Sequence, residues 1–266
     1  MNSIFSLRGC TVCLTGATGH LGSVMAKGLA EAGAHVIITA RYSERLTRLA
    51  SELCDKGLRV DAFPCDLAEE ENRRALTTFL HEHVECLDVL VNNAYGAFPG
   101  GWQRGEIPDF ECAQKFAVGV PYELVQKTLP LLERSANRRK GGASVVNISS
   151  MYGSVSPDPA IYGDSGLNSP PEYGAAKAGM LQLTRHLAVH LAPRQVRVNA
   201  LSPGPFPREM FRANQPQFCA TLASKVPLQR LGQADELLGP LIFLSSSASS
   251  YVTGMNMPVD GGWTAW

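Results

Sequence analysis

Tyr173 and Lys177 lie four residues apart in Tyr173-Gly-Ala-Ala-Lys177, within a stretch, Tyr173 to Leu191, whose apolar spacing predicts a helix. Residues at that separation share one helical face. A phenol beside an ammonium can give a proton to an alkoxide and take it back. Free tyrosine, with a pKa near 10, is only about 0.1% ionised at pH 7, so such a base needs help. A roughly thousandfold shift towards phenolate represents about 4 kcal/mol of differential stabilisation, and Lys177 is placed to supply part of it. Ser150 follows a predicted strand in Ile148-Ser-Ser150. Its hydroxyl can hold a substrate oxygen by a hydrogen bond that strengthens as charge develops. The bland alternative is a solvated Tyr/Lys pair on an amphipathic helix; the strand end just upstream argues for catalysis. Tyr152 and Tyr162 are rival phenols near Ser150, and neither has a Lys four residues on.

Positioning these groups requires a scaffold, which begins at Thr11-Val-Cys-Leu-Thr15. That apolar segment reads as a buried strand, and Leu21 onward has helical spacing. Gly16, Gly19 and Gly22 therefore fall where a strand turns sharply into a helix. Without side chains the backbone can approach a pyrophosphate, which the helix N-terminus attracts. The second strand ends Ile38-Thr39-Ala40-Arg41. An acidic residue there would accept hydrogen bonds from an adenosine ribose, whereas Arg accommodates a 2′-phosphate. With Ala40 and Arg41 in place, NADP is favoured over NAD; the competing reading of Arg41 is a solvated strand-end residue. Asp66 either meets the adenine or caps the next helix.

Further strands are expected at Ala34–Thr39, Arg59–Phe63, Leu87–Val91, Ser144–Ile148, Val196–Leu201 and Met255–Val259. Helices are expected at Leu21–Ala32, Ser43–Cys54, Glu69–His83, Asp109–Leu132, Tyr173–Leu191 and Asp235–Ser246. Such alternation predicts an α/β fold, a parallel sheet of about seven strands with helices on both faces. Neither a linker nor a repeat interrupts it, so one domain over 1–266 is expected. Two stretches, Pro157–Pro171 and Pro203 to about Lys225, read as long irregular loops, which in compact domains are commonly functional.

Composition narrows the partners. Lys plus Arg and Asp plus Glu are 24 each among 266 residues, so no long-range field steers the chain to nucleic acid or anionic lipid. A small-molecule partner is expected. Neither a leader at Met1–Gly9 nor a run of roughly 18 apolar residues is present, which suggests a cytoplasmic protein. The 7 cysteines are an odd, scattered number and do not form a disulfide framework. Cys10 and Cys13, three apart on a strand, point to opposite faces, and no metal site is expected.

In order along the chain, Thr15-Gly16-Ala-Thr-Gly19-His-Leu-Gly22, Asn92-Asn93-Ala94, Val145-Val-Asn-Ile-Ser-Ser150, Tyr173-Gly-Ala-Ala-Lys177, Asn199-Ala-Leu-Ser-Pro203-Gly204, and Tyr251-Val-Thr-Gly254 with Asp260-Gly-Gly262 resemble the landmarks of the short-chain dehydrogenases/reductases. The resemblance spans the whole chain and implies a doubly wound Rossmann sheet binding a nicotinamide cofactor. It implies Ser150, Tyr173 and Lys177 as the catalytic set. Cofactor contacts would come from Gly16, Thr18, Gly19, His20, Leu21, Gly22, Arg41, Asp66, Leu67, Asn93, Ala94, Tyr173, Lys177, Pro203, Gly204 and Phe206, with Asn92 also along the cofactor. It further implies a secondary alcohol/ketone oxidoreductase and a homo-oligomer, tetrameric or dimeric. A 3-oxoacyl thioester reductase and a non-catalytic NADP-sensing regulator are the alternatives.

Three departures stand out. The glycine spacing is that of longer relatives acting on nucleotide sugars, and His20 occupies a usual glycine place, where it is expected to face solvent. A usual Asn in the helix after the fourth strand falls on Ala117, with Tyr95 or Gln114 as substitutes. Extra residues separate Ser150 from Tyr173, and Asp158, Tyr162, Asp164 and Asn168 make that insertion polar: either it shapes a site for a hydroxyl-rich substrate or it is a solvated insertion. Beyond it, Arg208 and Arg212 are candidates for meeting a carboxylate or phosphate.

Overall fold

The computed structural model describes residues 4–96, 105–163, 165 and 167–266. Asp164 of the insertion lies outside the described residues. Seven parallel strands, β1 (Thr11–Thr15), β2 (His35–Ala40), β3 (Val60–Pro64), β4 (Val89–Asn92), β5 (Ala143–Ile148), β6 (Val196–Pro203) and β7 (Asn256–Val259), form one sheet in the order β3-β2-β1-β4-β5-β6-β7. The chain starts in the middle, winds outward to β3, then crosses to β4 and winds the other way. Loops leaving β1 and β4 therefore diverge, which opens a crevice at their carboxyl ends.

Helices cover both faces, so β4, β5 and β6 are buried along their whole length, their apolar residues interrupted by buried polar ones such as Asn147, Arg197 and Asn199. On one face α1 (His20–Glu31), α2 (Ser43–Cys54) and α9 (Leu238–Ser245) contribute Met25, Leu29, Leu46, Leu53, Leu241 and Leu244 to the core. On the other, α3 (Glu70–His83), α5 (Val120–Ala136) and α6 (Pro171–Leu191) contribute Leu76, Leu80, Leu124, Leu131, Leu187 and Leu191. All seven cysteines are free thiols. Burial pushes Cys10 up to about 11 and Cys13 up to about 12, which makes them inert core residues.

Two expectations need correction. The single helix predicted over Asp109–Leu132 is α4 (Ile107–Gln114), one π turn at Lys115–Gly119 and then α5. That turn packs Ala117 against Ala176 and Met180 of α6. Secondly, the stretch from Pro203 is not loop throughout: β6 runs to Pro203, and α7 (Glu209–Asn214) and α8 (Pro216–Lys225) follow. Pro216 opens α8, where its missing N–H and fixed φ are tolerated.

The insertion after Ser150 packs against α8. Met151, Ile161, Cys219, Leu222, Val226, Leu231 and Trp263 form a separate apolar cluster, with Tyr162 stacked on Phe218 at 5.8 Å between ring centroids. Asp158 caps a short turn at Pro159–Ile161 and pairs with Lys225 at 3.0 Å on the surface.

Candidate active site

Thr15 ties the ends of β1 and β4 together. Its Oγ1 donates to the Val91 carbonyl at 3.3 Å and accepts the N–H groups of Asn93 and Ala94, each at 3.0 Å. The Asn93 amide in turn donates to the carbonyls of Thr15 (2.9 Å) and Gly16 (3.1 Å), so this side chain holds the glycine turn. Gly16 has φ +68°, and a Cβ there would lie 2.8 Å from the Ala94 Cα; a Cβ on Gly22 would lie 2.2 Å from the Gly16 carbonyl oxygen. Only glycine permits this approach of α1 to the turn. Asn92 does not line the crevice: its amide is buried and donates to Asn147 Oδ1 at 2.8 Å, which corrects its expected place along a cofactor.

The crevice is a cleft of about 390 Å³ lined by Gly16, Thr18, Gly19, His20, Leu21, Gly22, Ala40, Arg41, Tyr42, Arg45, Cys65, Asp66, Leu67, Asn93, Ala94, Tyr95, Gly96, Phe116 and Arg208. Gly19 caps α1 with no side-chain bond and no acidic residue follows in the first turn, so the helix presents free N–H groups to an anion. Arg41 and Arg45 stand over the Tyr42 ring with guanidinium carbons 5.4 and 5.6 Å from its centroid. A turn without room for side chains, an open helix N-terminus and two arginines fit a dinucleotide carrying an extra phosphate. Sequence reasoning missed Tyr42 and Arg45 as cleft residues, whereas Arg208, a candidate for meeting a carboxylate or phosphate, does line the cleft. Arg45 lies in the first turn of α2, close behind Arg41 and Tyr42, where the helix start brings it to the same side chains.

Pro203 ends β6, Gly204 presses on Asp260 (a Cβ would be 2.6 Å from its Cα), and the Phe206 ring fills the space beside Gly232; these three expected contacts sit next to the cleft rather than among the residues that line it. His20, expected to face solvent, lines the cleft and its ring donates to the Phe206 carbonyl. Partial burial and then the nearby Arg208 lower its pKa. Asp66 accepts the Ala68 N–H at 3.0 Å in the turn before α3, whose N-cap is Glu69, so it does not cap that helix; it lines the cleft. Arg212 is committed to the carbonyls of Gly232 (2.6 Å) and Pro207 (3.3 Å), which leaves only Arg208 facing the cleft.

Ser150, Tyr173 and Lys177 come together beside this cleft. Beyond β5 the turn Met151–Gly153 is pressed on α6: a Cβ on Gly153 would be 2.9 Å from the Lys177 carbonyl carbon, and Ser149 Oγ donates to the Lys177 carbonyl at 3.0 Å. The Ser150 hydroxyl donates to the Tyr173 phenol oxygen and accepts the Tyr152 N–H at 3.2 Å. Lys177, 4% exposed, donates to the Ile148 carbonyl at 2.9 Å. Its Nζ lies 4.6 Å from the centroid of the Tyr95 ring and 5.8 Å from that of Tyr173, while the two rings meet edge to face at 5.4 Å. Burial pushes the Lys177 ammonium down to about 7 and raises Tyr173, against a lowering bond from Ser150. The expected lowering of Tyr173 by Lys177 is therefore not supplied by the chain alone, because desolvation outweighs it.

Ala117 is fully buried with Ala113, Ala176 and Met180, and Tyr95 packs against them. Gln114 faces Gly179, where a Cβ would lie 3.3 Å from its Oε1, rather than Lys177. Of the rival phenols, Tyr152 donates to Tyr162, which also accepts from Ser169. Burial raises both.

A family model described as enoyl-(acyl carrier protein) reductase matches residues 16–264. The rhamnolipids biosynthesis 3-oxoacyl-(acyl-carrier-protein) reductase of Pseudomonas aeruginosa is 35% identical over 264 residues, covering 98% of this chain and 99% of that protein. The chain belongs to the short-chain dehydrogenase/reductase family. This short-chain dehydrogenase/reductase is also 32% identical to the 5-keto-D-gluconate 5-reductase of Escherichia coli over 272 residues, 98% of each chain. Its fold superposes on the Pseudomonas aeruginosa RhlG/NADP active-site complex with a TM-score of 0.88 (34% identity, 99% of each chain). The gluconate 5-dehydrogenase of Burkholderia cenocepacia in complex with NADP and tartrate gives 0.86 (30% identity, 98% of each chain). The protein is an oxidoreductase with the expected seven-stranded Rossmann sheet.

Proposed function

We propose that this reductase interconverts a secondary alcohol and a ketone with NADP(H), NAD(H) being the weaker partner, on a polar, sugar-acid-like substrate. The carrying observation is the hydrogen-bonded Ser150–Tyr173 pair with Lys177 on the same helical face, joined to the cleft through Tyr95. Bound NADP would be held by the turn Gly16–Gly22, the open end of α1 and Arg41, and supplies the hydride chemistry. Ser150 holds the oxygen of the reacting carbon by donating to it. Tyr173 gives that oxygen its proton in reduction and removes it in oxidation; Lys177, as an ammonium, favours the phenolate form.

NADP preference rests on Arg41 and Arg45. Arg41→Ala is expected to weaken NADPH by roughly 1.5–3 kcal/mol, about 10- to 100-fold, and NADH far less, since a charge-assisted bond to phosphate is lost. Fluorescence titration of both reduced cofactors checks this, and equal losses would overturn it.

Support for a hydroxyl-rich substrate comes from the line of hydroxyls Tyr152, Tyr162 and Ser169 behind Ser150, and from the gluconate-named relatives. Asp158 does not contribute, because it faces outward to Lys225. Tyr162→Ala should raise the substrate KM roughly tenfold while leaving the NADPH Kd in place, since the wall rather than the cofactor cleft is displaced. A second reading, reduction of 3-oxoacyl thioesters, is favoured by the apolar cluster of Met151, Ile161, Phe211 and Phe218. Following NADPH absorbance with 5-keto-D-gluconate and with 3-oxoacyl thioesters decides; faster turnover of the thioester would replace the first reading by the second.

The same reading has one domain over 1–266 and a cytoplasmic homo-oligomer, dimeric or tetrameric. Tyr122 on α5 and Val189 on α6, 41% and 73% exposed, support association of these helices. Among the described residues no helix is long and apolar enough to cross a membrane.

A further inference from the structure

We propose that Tyr95 is a positioning residue for the acid/base pair: the face of its ring holds Lys177 as an ammonium directed at Tyr173, where the neighbouring helix offers only Ala117. This rests on the reading of Tyr173 and Lys177 as the proton-transferring pair.

Lys177 is almost wholly enclosed, and an enclosed ammonium needs partners on every side. From β5 it has one carbonyl, that of Ile148, while Ser149 bonds the backbone of Lys177 and Ser150 bonds Tyr173. From α6 it has the Tyr173 ring. From the π turn and α4 it has the alanines 113 and 117, with Gln114 directed at Gly179. Among the described residues no carboxylate forms an ion pair with Lys177. Glu172 and the Cys112 thiol bear on Tyr95, not on the lysine. The remaining side is the Tyr95 ring, at 4.6 Å, a distance at which an aromatic face attracts a cation. The edge-to-face contact of the same ring with Tyr173 fixes both members relative to each other.

When the pair has lost one proton it exists in two forms, ammonium with phenolate or amine with phenol. Only the first can remove a proton from an alcohol. Burial of Lys177 favours the second, and a ring face beside Nζ favours the first, because it interacts with the charged lysine alone. Tyr95 thus sets how much of the singly deprotonated enzyme is active.

The test compares Tyr95→Phe, Tyr95→Leu and a series of mono-, di- and trifluorinated phenylalanines at position 95. Fluorination drains the ring face without changing the side-chain shape. The plateau kcat in the oxidative direction is measured against pH at saturating NADP⁺, with NADPH Kd as a control for the cleft. Tyr95→Leu should have a plateau about tenfold below that of Tyr95→Phe, and the fluorinated series should fall stepwise between them with Kd constant. Should Tyr95→Leu fail to fold, the fluorinated series alone decides. A flat series overturns the proposal, as does a Tyr95→Phe enzyme as impaired as Tyr95→Leu, which would assign the role to the hydroxyl. Tyr173→Phe is assayed alongside: if it turns over normally, the acid/base assignment fails, whereas a dead Tyr173→Phe with a flat fluorinated series removes only the role of Tyr95.

Discussion

Tyr173→Phe is expected to fold, to bind NADPH as the parent does, and to lose roughly 10²–10⁴-fold in turnover, the usual contribution of a positioned acid/base group. The substitution removes one oxygen and little volume, and the ring keeps its edge contact with Tyr95. The serine hydroxyl that now donates to Tyr173 is left facing the substrate, so substrate binding should suffer less than kcat. Steady-state kinetics with a binding titration separate the two. Tyr152 and Tyr162 are the groups that could rescue activity, yet they are bonded to each other and burial holds both phenols protonated. Appreciable turnover in Tyr173→Phe that vanishes on adding Tyr162→Phe would move the chemistry into the insertion.

Lys177→Met should separate stability from activity. The ordinary lysine value is 10.5 and burial brings Lys177 down to about 7. Between those values the unfolded chain carries the extra proton, so the parent gains stability as pH rises; below pH 7 both states are charged and the whole penalty of burying the ammonium is present. Methionine removes the penalty. The variant should therefore exceed the parent by on the order of a few kcal/mol at pH 6–7, with the gap closing as pH approaches 10. Denaturant melts at several pH values measure this directly, and a gap independent of pH would show that Lys177 titrates normally. In the oxidative direction the rising limb of the rate profile should shift to higher pH, because the phenol has lost a neighbouring charge. An enzyme made more stable and less active by one change is the signature of a group kept for chemistry.

Apolar runs located every strand to within a residue or two, since strands buried on both faces leave an uninterrupted signal. β4 and β6 show what is lost: β4 begins at Val89 rather than Leu87, and β6 continues through Ser202 and Pro203, whose types suggest a turn. The π turn at Lys115–Gly119 has no residue signature; it joins α4, which packs on α6, to α5, which packs on β5. α7 and α8 were hidden behind Pro205, Pro207 and Pro216, though Pro216 at a helix start and the spacing of Phe218, Cys219 and Leu222 mark α8 in retrospect. The site itself was partly legible. Ser150, Tyr173 and Lys177 are named by type and spacing, and the glycine turn by context. Tyr95 was legible only as one of two substitutes for the usual Asn, since its contact with Lys177 joins segments far apart in the chain.

The insertion and α8 share one apolar cluster, so neither half is a self-sufficient unit. Anyone transplanting the stretch 157–171 into another reductase to alter what it accepts would leave Ile161 and Tyr162 without Phe218 and Leu222, a bare greasy surface prone to self-association. The two segments should travel as a matched cassette. Swapping both, with Asp158 and Lys225 kept together at the rim, is the graft expected to stay soluble; swapping either alone is expected to precipitate or lose its shape.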